Sequence, residues 1–474
     1  MLGPRGGGGV RWTRTGPAAR KAARACGRVY DRGPMVDPLN LPEDRSEAGF
    51  GDYKPALGPA QALAEANRCL YCADAPCVQK CPTAIDIPEF IRKISTGNLK
   101  GSARTILDAN IFGMSCARVC PVEVLCVGGC VYNEMDAPPI AIGRLQRYVT
   151  DAALAEDWRY FTAGPASGRS VGLVGGGPAS LAAAHELRRR GHACTIYDAG
   201  HWLGGLNTTG VAPYKLRADD ALAEVAYVLG IGGIAVESGV HIGRDVGWDA
   251  LLARHDALFI GVGLGADRVL DIPGKQLAGI DGAVAFIEKF KLGRVDLGGV
   301  KRAVVVGGGN TAVDAVRELV GLGVSEVTML YRGDEAAMSG YEHEWKAAKI
   351  EGVRSLWHTQ PTAYVERDGR VAGLRCVKLG ADKRPLAGEE FEVPAELVLL
   401  AIGQARLGEL VAGLGGVQLE GGRLIVDADG ATGNPRVYAG GDCANGGKEV
   451  VNAVAEGKRA ALAIDRALTA SASK

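Results

Sequence analysis

The chain has 474 residues, with 54 Lys+Arg against 54 Asp+Glu, and this zero formal charge argues against a dedicated nucleic-acid binder, which carries a basic surplus. Apolar residues at 47% and charged residues at 23% are ordinary for a globular protein with room for several cores. No apolar run reaches the roughly 18 residues of a membrane-spanning helix. Two counts stand out: 69 glycines, about double the usual ~7% share, and twelve cysteines, eight of them between Cys69 and Cys130.

In chain order, residues 1–34 hold eight Arg/Lys and one acid, Asp31, in a Gly/Pro-rich setting that cannot bury a core. The expectation is a disordered or extended tail over 1–45, with Met35 as a natural start, the alternative being an Arg-rich targeting segment. No secretory apolar region is present, so a cytoplasmic location is expected. Residues 46–165 read as a helical domain, with patterns at Pro59–Leu70, Pro88–Thr96, Ser102–Ala109 and Ile140–Leu154 alternating with cysteine-bearing loops, and no strand. A Gly/Pro/Ser linker at 163–168 follows. From Arg169 onward, short apolar strands precede Gly clusters and helical patterns, a βαβ grammar that implies parallel sheets.

The first Gly motif is Gly175-Gly176-Gly177, after the strand Val171–Val174, with Ser180 in place of the third glycine. The next strand ends in Asp198, 23 residues after Gly175. That spacing suits a carboxylate on an adenosine ribose, with the pyrophosphate at the helix N-terminus. The second motif, Gly307-Gly308-Gly309-Asn310-Thr311-Ala312, follows the strand Ala303–Val306. Its next strand ends at Tyr331-Arg332, and an arginine there can accept a ribose 2′-phosphate. A third cluster, Gly440-Gly441-Asp442, precedes a helical pattern from about Glu449 to Ala467. After two dinucleotide motifs, it suits an aspartate on the ribityl chain of a flavin.

The cysteines are spaced Cys69-x2-Cys72-x4-Cys77-x3-Cys81-Pro82 and Cys116-x3-Cys120-Pro121-x4-Cys126-x3-Cys130. Runs ending in Cys-Pro are similar to ferredoxin patterns, and thiolates hold iron well. Zinc prefers paired C-x2-C knuckles, and only Cys69/Cys72 fits. No C-x2-C pair follows either Gly motif, so a redox-active disulfide beside the flavin is not expected, and the cysteine-rich unit is the natural electron exit. Histidines are few, with no hydrolytic motif, and His343 reads as a surface helix residue.

From about residue 55 onward, the chain resembles the small-subunit family of glutamate synthase, and within it the N-terminal electron-input half of dihydropyrimidine dehydrogenase. The resemblance is carried by Cys69-Leu-Tyr-Cys-Ala-Asp-Ala-Pro-Cys77, Cys81-Pro-Thr83, Cys116-x3-Cys-Pro121, Leu125-Cys-Val-Gly-Gly-Cys130 and Ile140-x-Ile-Gly-Arg-Leu-Gln146. It implies an α-helical iron–sulfur domain followed by α/β, with two Rossmann-like domains, the second inserted in the first: FAD-binding over 168–280 and 405–474, NAD(P)-binding over 281–404. It implies two [4Fe–4S] clusters, one on Cys69, Cys72, Cys77 and Cys130, the other on Cys81, Cys120, Cys126 and Gln146, with Cys116 spare. Taken alone, eight cysteines could ligate two clusters without Gln146. Glutamate synthase small subunits usually carry Glu at that position, so Gln146 favours the pyrimidine branch.

The resemblance further implies FAD contacts at Gly175, Gly176, Gly177, Asp198, Gly205, Leu206, Val246, Gly441 and Asp442. Nucleotide contacts would fall at Gly307, Gly308, Gly309, Asn310, Thr311, Arg332 and Gly403. NADPH-using members carry a second arginine seven residues after the first, where this chain has Ser339, so NAD or NADP stays open. The implied activity is that of an NAD(P)H-oxidising subunit passing electrons to an FMN/iron–sulfur TIM-barrel partner that reduces uracil or thymine, in a hetero-oligomer expected as a heterotetramer, without nucleic acid or membrane. No side chain is required as a general base. A barrel of about 250 residues is missing from the sequence, so uracil reduction is not expected of this chain alone. The alternatives are a glutamate synthase small subunit and a non-catalytic module that holds clusters and nucleotide.

Overall fold

A computed structural model describes residues 39–405 and 408–472. The expected tail over 1–38, with Cys26 and Met35, lies outside the described residues. Residues 39–45, assigned to that tail from sequence, are held against the rest of the chain: Arg45 is buried and pairs with Glu47 at 2.9 Å and Asp219 at 2.5 Å, and Trp202 donates to the Asn40 carbonyl at 3.0 Å.

The N-terminal unit is helical among the described residues. It comprises α1 (Pro59–Ala66), α2 (Pro76–Gln79), α3 (Ile87–Ser95), α4 (Leu99–Ala109), α5 (Gly113–Val119) and α6 (Ile142–Ala155). Local chemistry starts these helices. Pro59 and Pro76 sit in first turns, where a missing N–H costs nothing, while Asp86 and Asn98 cap α3 and α4 through Glu89 N (3.1 Å) and Gly101 N (2.9 Å). Ile87, Phe90, Ile91 and Ile94 bury one face of α3. Each such side chain contributes about 2 kcal/mol. Not every cysteine lies on a loop, as the sequence suggested: Cys77 is in the one turn of α2 and Cys116 is in α5. α5 escaped a periodicity reading because Gly113–Val119 is buried on nearly every side.

The α/β part begins with β1 (Ser170–Val174), α7 (Pro178–Arg189), β2 (Ala193–Asp198), α8 (Leu206–Thr209), α9 (Ala218–Leu229), β3 (Ile234–Ser238), α10 (Trp248–Arg254) and β4 (Ala257–Ile260). A second unit follows with β5 (Ile280–Gly282), α11 (Ala283–Leu292), β6 (Arg302–Val306), α12 (Asn310–Gly321), β7 (Glu326–Leu330), α13 (Glu342–Ile350) and β8 (Arg354–Leu356). After it come β9 (Thr359–Arg367), β10 (Arg370–Leu379), β11 (Pro385–Pro394), β12 (Leu397–Leu400) and the short hairpin of β13 (Leu419–Glu420) and β14 (Arg423–Leu424). The chain closes with β15 (Val437–Ala439), α14 (Asp442–Asn445) and α15 (Val450–Ala472).

Two parallel sheets result, ordered β15-β4-β1-β2-β3 and β5-β12-β6-β7-β8. Because β15 returns to the first sheet after the second is complete, the second Rossmann-like unit is inserted in the first. An antiparallel sheet, β11-β10-β9, not expected from the sequence, packs against the second sheet through Leu374, Cys376 and Val398. The helical unit is not a separate bead: Ile106, Leu145 and Val149 share one continuous apolar cluster with Leu181 and Ala183 of α7 and Val451 of α15. Among the described residues, no helix is long and apolar enough to cross a membrane.

Candidate cofactor sites

The eight clustered cysteines divide between two cavities in the helical unit. Cys69, Cys72, Cys77 and Cys130 line the first, with Ile87, Ile91, Ile140 and Ile142 around them. Cys81, Cys116, Cys120, Cys126 and Gln146 line the second, with Asn110 and Val451. Ile87 belongs to both walls, so the two cavities are neighbours. All eight thiols are free of disulfides.

The thiols are poorly suited to stand alone. Burial, followed by the neighbouring Cys130 and Cys69, pushes Cys77 up to about 11; burial, with Cys81 beside it, pushes Cys126 to about 12. A hydrogen bond with Cys116, then burial, holds Cys120 well above its ordinary range. Thiols that repel one another's ionisation in an apolar pocket are what a cationic iron centre neutralises, since metal ligation requires the thiolate. Among the described residues no three His, Cys, Asp or Glu side chains converge closely enough for a single metal ion. The donor set, eight soft sulfur donors on two neighbouring cavities, fits iron–sulfur clusters.

Gln146 is buried on the inner face of α6, 7% exposed, rather than on a solvated helix face. Its amide nitrogen donates to the Gly113 carbonyl at 2.7 Å, which leaves the carbonyl oxygen as the end free to ligate. Cys116, set aside by the resemblance, lies on the same wall, only 2% exposed.

The first glycine loop sits after β1 in the β15-β4-β1-β2-β3 sheet, where the strand order reverses, a usual place for a dinucleotide. α7 starts at Gly177 with no side-chain cap, so its first N–H groups are available to a phosphate. Gly175 has φ +95, and a Cβ there would lie 2.5 Å from the Gly261 carbonyl oxygen. Asp198 ends β2 and accepts from Gly176 N at 2.5 Å and Gly200 N at 2.6 Å; burial raises its pKa despite both bonds. Gly204 N donates to the Gly176 carbonyl at 2.8 Å, which brings Gly205 and Leu206 beside the loop, and Leu206 is left 40% exposed. Val246 joins Val174 and Tyr197 in one apolar cluster. A Cβ on Gly441 would lie 3.1 Å from Ala179, in the first turn of α7, so Asp442 stands at the same mouth. Asp442 accepts from Lys448 N at 3.3 Å, and burial raises its pKa. All nine residues assigned to the flavin from sequence thus lie around one end of the first sheet.

Ser180 replaces the third glycine of the motif, yet α7 still lies close to the sheet. A Cβ on Gly261, just after β4, would lie 2.3 Å from Ser180 Oγ, so the glycine that permits the approach has moved to the strand side.

The second loop repeats the plan. α12 begins at Gly309 without a side-chain cap, which leaves the N–H groups of Asn310 and Thr311 open. Gly308 lies over the Tyr331 ring, 2.6 Å from a Cβ position to Cδ2, and the Gly403 carbonyl accepts from Arg268 N at 2.9 Å. Arg332 follows β7 as an exposed side chain with no hydrogen bond or ion pair among the described residues, and Ser339 Oγ would be 3.4 Å from a Cβ on Gly309. Two features went unforeseen. Tyr341 N donates to Asn310 Oδ1 at 2.9 Å, and its hydroxyl donates to Glu449 Oε1 at 2.5 Å, which bridges the second loop to the start of α15. His343, expected at the surface, is half-buried and stacks on Tyr341 with ring centroids 5.8 Å apart. No local pattern signals a bridge between residues 108 positions apart.

Residues 169–457 match the family described as pyridine nucleotide-disulphide oxidoreductase, and residues 46–158 match dihydropyrimidine dehydrogenase domain II, 4Fe-4S cluster. The chain belongs to the pyridine nucleotide-disulphide oxidoreductase family, in the branch that carries an N-terminal 4Fe–4S domain. It is 32% identical over 453 residues to the glutamate synthase [NADPH] small chain of Escherichia coli K12, covering 90% of this chain and 95% of that one. It is 34% identical over 415 residues to the NAD-dependent dihydropyrimidine dehydrogenase subunit PreT of the same strain, covering 87% and 96%. Among solved structures, FprA of Mycobacterium tuberculosis (TM-score 0.55, 19% identity, 64% of this chain and 86% of that one) and Lactococcus lactis thioredoxin reductase (TM-score 0.52, 22%, 64% and 99%) share the α/β fold. The protein is an NAD(P)H-dependent flavin and iron–sulfur oxidoreductase of this family.

Proposed function

We propose that the chain is the electron-input subunit of a two-subunit dihydropyrimidine dehydrogenase, with two [4Fe–4S] clusters in residues 46–165. FAD would occupy 168–280 with 405–474, and NAD(P)H would occupy 281–404. When bound, FAD and the clusters supply hydride acceptance and one-electron transfer; the chain supplies position and charge. Cys69, Cys72, Cys77 and Cys130 would hold one cluster, and Cys81, Cys120, Cys126 and Gln146 the other. The open N–H groups of α7 and α12 would each take a pyrophosphate, Asp198 an adenosine ribose hydroxyl, and Asp442 the ribityl chain. Leu206 and Val246 would exclude water from the flavin. Val451, two residues after Glu449, walls the second cavity, so the Gln146 cavity is the one beside the flavin domain and the Cys69 cavity is the outer one.

The observation that carries this reading is Gln146, buried on the wall of the Cys81/Cys120/Cys126 cavity with its amide oxygen free. The identity to a glutamate synthase small chain, 32% against 34%, supports a second reading, in which the same relay serves a glutamate synthase large subunit. Reconstitution separates them. The purified chain should reduce ferricyanide with NAD(P)H but leave uracil unchanged. Added to an FMN-containing barrel subunit of the pyrimidine type, it should support NAD(P)H-dependent uracil reduction. Glutamate formation with a glutamate synthase large subunit, and no uracil reduction, would select the second reading.

A further inference from the structure

Asn110 ends α4 and is completely buried. Its Oδ1 accepts from the backbone N–H of Phe112 at 2.9 Å. That bond fixes the amide's orientation, because a flipped amide would set its NH₂ against another N–H donor. Nδ2 is therefore the opposite end, and it is sealed from solvent with no hydrogen-bond partner. A buried donor left unpaired carries its full desolvation cost. The neighbouring amide donors are already used: Gln146 Nε2 on the Gly113 carbonyl and Asn110 N on the Ile106 carbonyl at 2.8 Å. Asn110 lines the second cavity together with Cys81, Cys120 and Cys126.

We infer that Asn110 donates its Nδ2–H to a sulfur of the cluster in this cavity and thereby raises that cluster's reduction potential. The inference rests on the reading that the cavity holds a cluster. A reduced cluster carries one more negative charge than an oxidised one, so a donor aimed at its sulfur stabilises the reduced form more. Asn110 has no proton to exchange near neutral pH, so its effect is electrostatic and independent of pH. Placed in the cavity next to the flavin domain, it favours acceptance of the first electron there.

The test uses the full chain purified anaerobically, with iron and acid-labile sulfide measured per chain and each cluster's midpoint followed by EPR during redox titration. Asn110→Asp keeps the acceptor for Phe112 N and removes the donor; Asn110→Leu removes the donor without adding charge. Both should retain wild-type iron and sulfide, and the midpoint of one cluster should fall, with the other cluster and the flavin unmoved. If Asn110→Leu fails to assemble, Asn110→Ala takes its place, because Asn110→Asp also lowers the midpoint through its own charge. Unmoved midpoints with full iron would overturn the inference, as would loss of the cluster in both variants, which would make Asn110 a support for the fold only. Wild-type protein without labile sulfide would overturn the cluster reading itself.

Discussion

The carboxylate of Glu224, on α9 of the first α/β unit, accepts the backbone N–H of Ser115 at 3.1 Å, one residue before Cys116 in the helical unit. It also accepts from Met114 N at 2.8 Å and from the Ser115 hydroxyl, so it caps α5 from another domain. Glu224 is fully buried, and burial raises its pKa from 4.5 to about 7 in spite of those bonds.

The folded protein holds the Glu224 proton more tightly than the unfolded chain. Its stabilising contribution is therefore complete below pH 4.5 and is lost as the pH rises to about 7. At about 1.4 kcal/mol per pKa unit the window spans on the order of 3 kcal/mol. Glu224→Gln, which stays neutral, should flatten the difference in thermal midpoint measured between pH 5 and pH 8 relative to wild type. A variant whose midpoint falls in parallel with wild type over that range would show that Glu224 titrates normally.

Cys77→Ser and Cys126→Ser fall on different cavities, so each should remove about half the iron and labile sulfide, on the basis of four irons per cluster. Flavin absorbance should remain in both. If either variant loses all the iron, the two cavities do not load independently.

Arg332 is exposed beside the second glycine loop, and only NADPH carries a 2′-phosphate for it to meet. Arg332→Ala should lower kcat/KM for NADPH by roughly tenfold or more, the worth of a charge-assisted hydrogen bond, and leave NADH use nearly unchanged. Steady-state assays with ferricyanide as acceptor read the ratio; equal losses for both nucleotides would remove Arg332 from the site.

Gly175→Ala places a Cβ 2.5 Å from the Gly261 carbonyl oxygen in a residue with φ +95. The conformation alone costs about 1–3 kcal/mol, and relieving the clash displaces the loop that faces Asp198. The variant should purify with less than the wild-type FAD per chain while keeping its iron. Full FAD content would mean that the loop tolerates the shift.

What could be read from the sequence was whatever lies close together along the chain. Strand, glycine loop, helix, strand and acid occupy residues 170–198 without interruption, so Gly175 and Asp198 could be paired from spacing alone. The grouping of Cys81 with Cys120 and Cys126 is different: nearly forty residues separate its halves, and it came from a resemblance. The sheet β11-β10-β9 passed unnoticed because β11 is mostly exposed and polar, and its alternating stretch, Glu390-Phe391-Glu392-Val393, is too short to stand out. Glu224, Tyr341 and Asn110 were unreadable for one shared reason. Each acquires its role from a residue or cavity that only the folded chain brings near, and a lone Glu, Tyr or Asn carries no pattern.

Ser180 and Gly261 extend that point to substitution tolerance. The closeness of α7 to the sheet is a demand on a gap between two backbones, and either side can supply the missing side chain. In this protein the strand side supplies it, so position 261 is expected to be the intolerant one, while position 180 accepts a hydroxymethyl group. A scan of single substitutions would then find, besides Gly175 within the motif, a second intolerant position more than 80 residues downstream of it, in a segment that linear patterns leave unmarked.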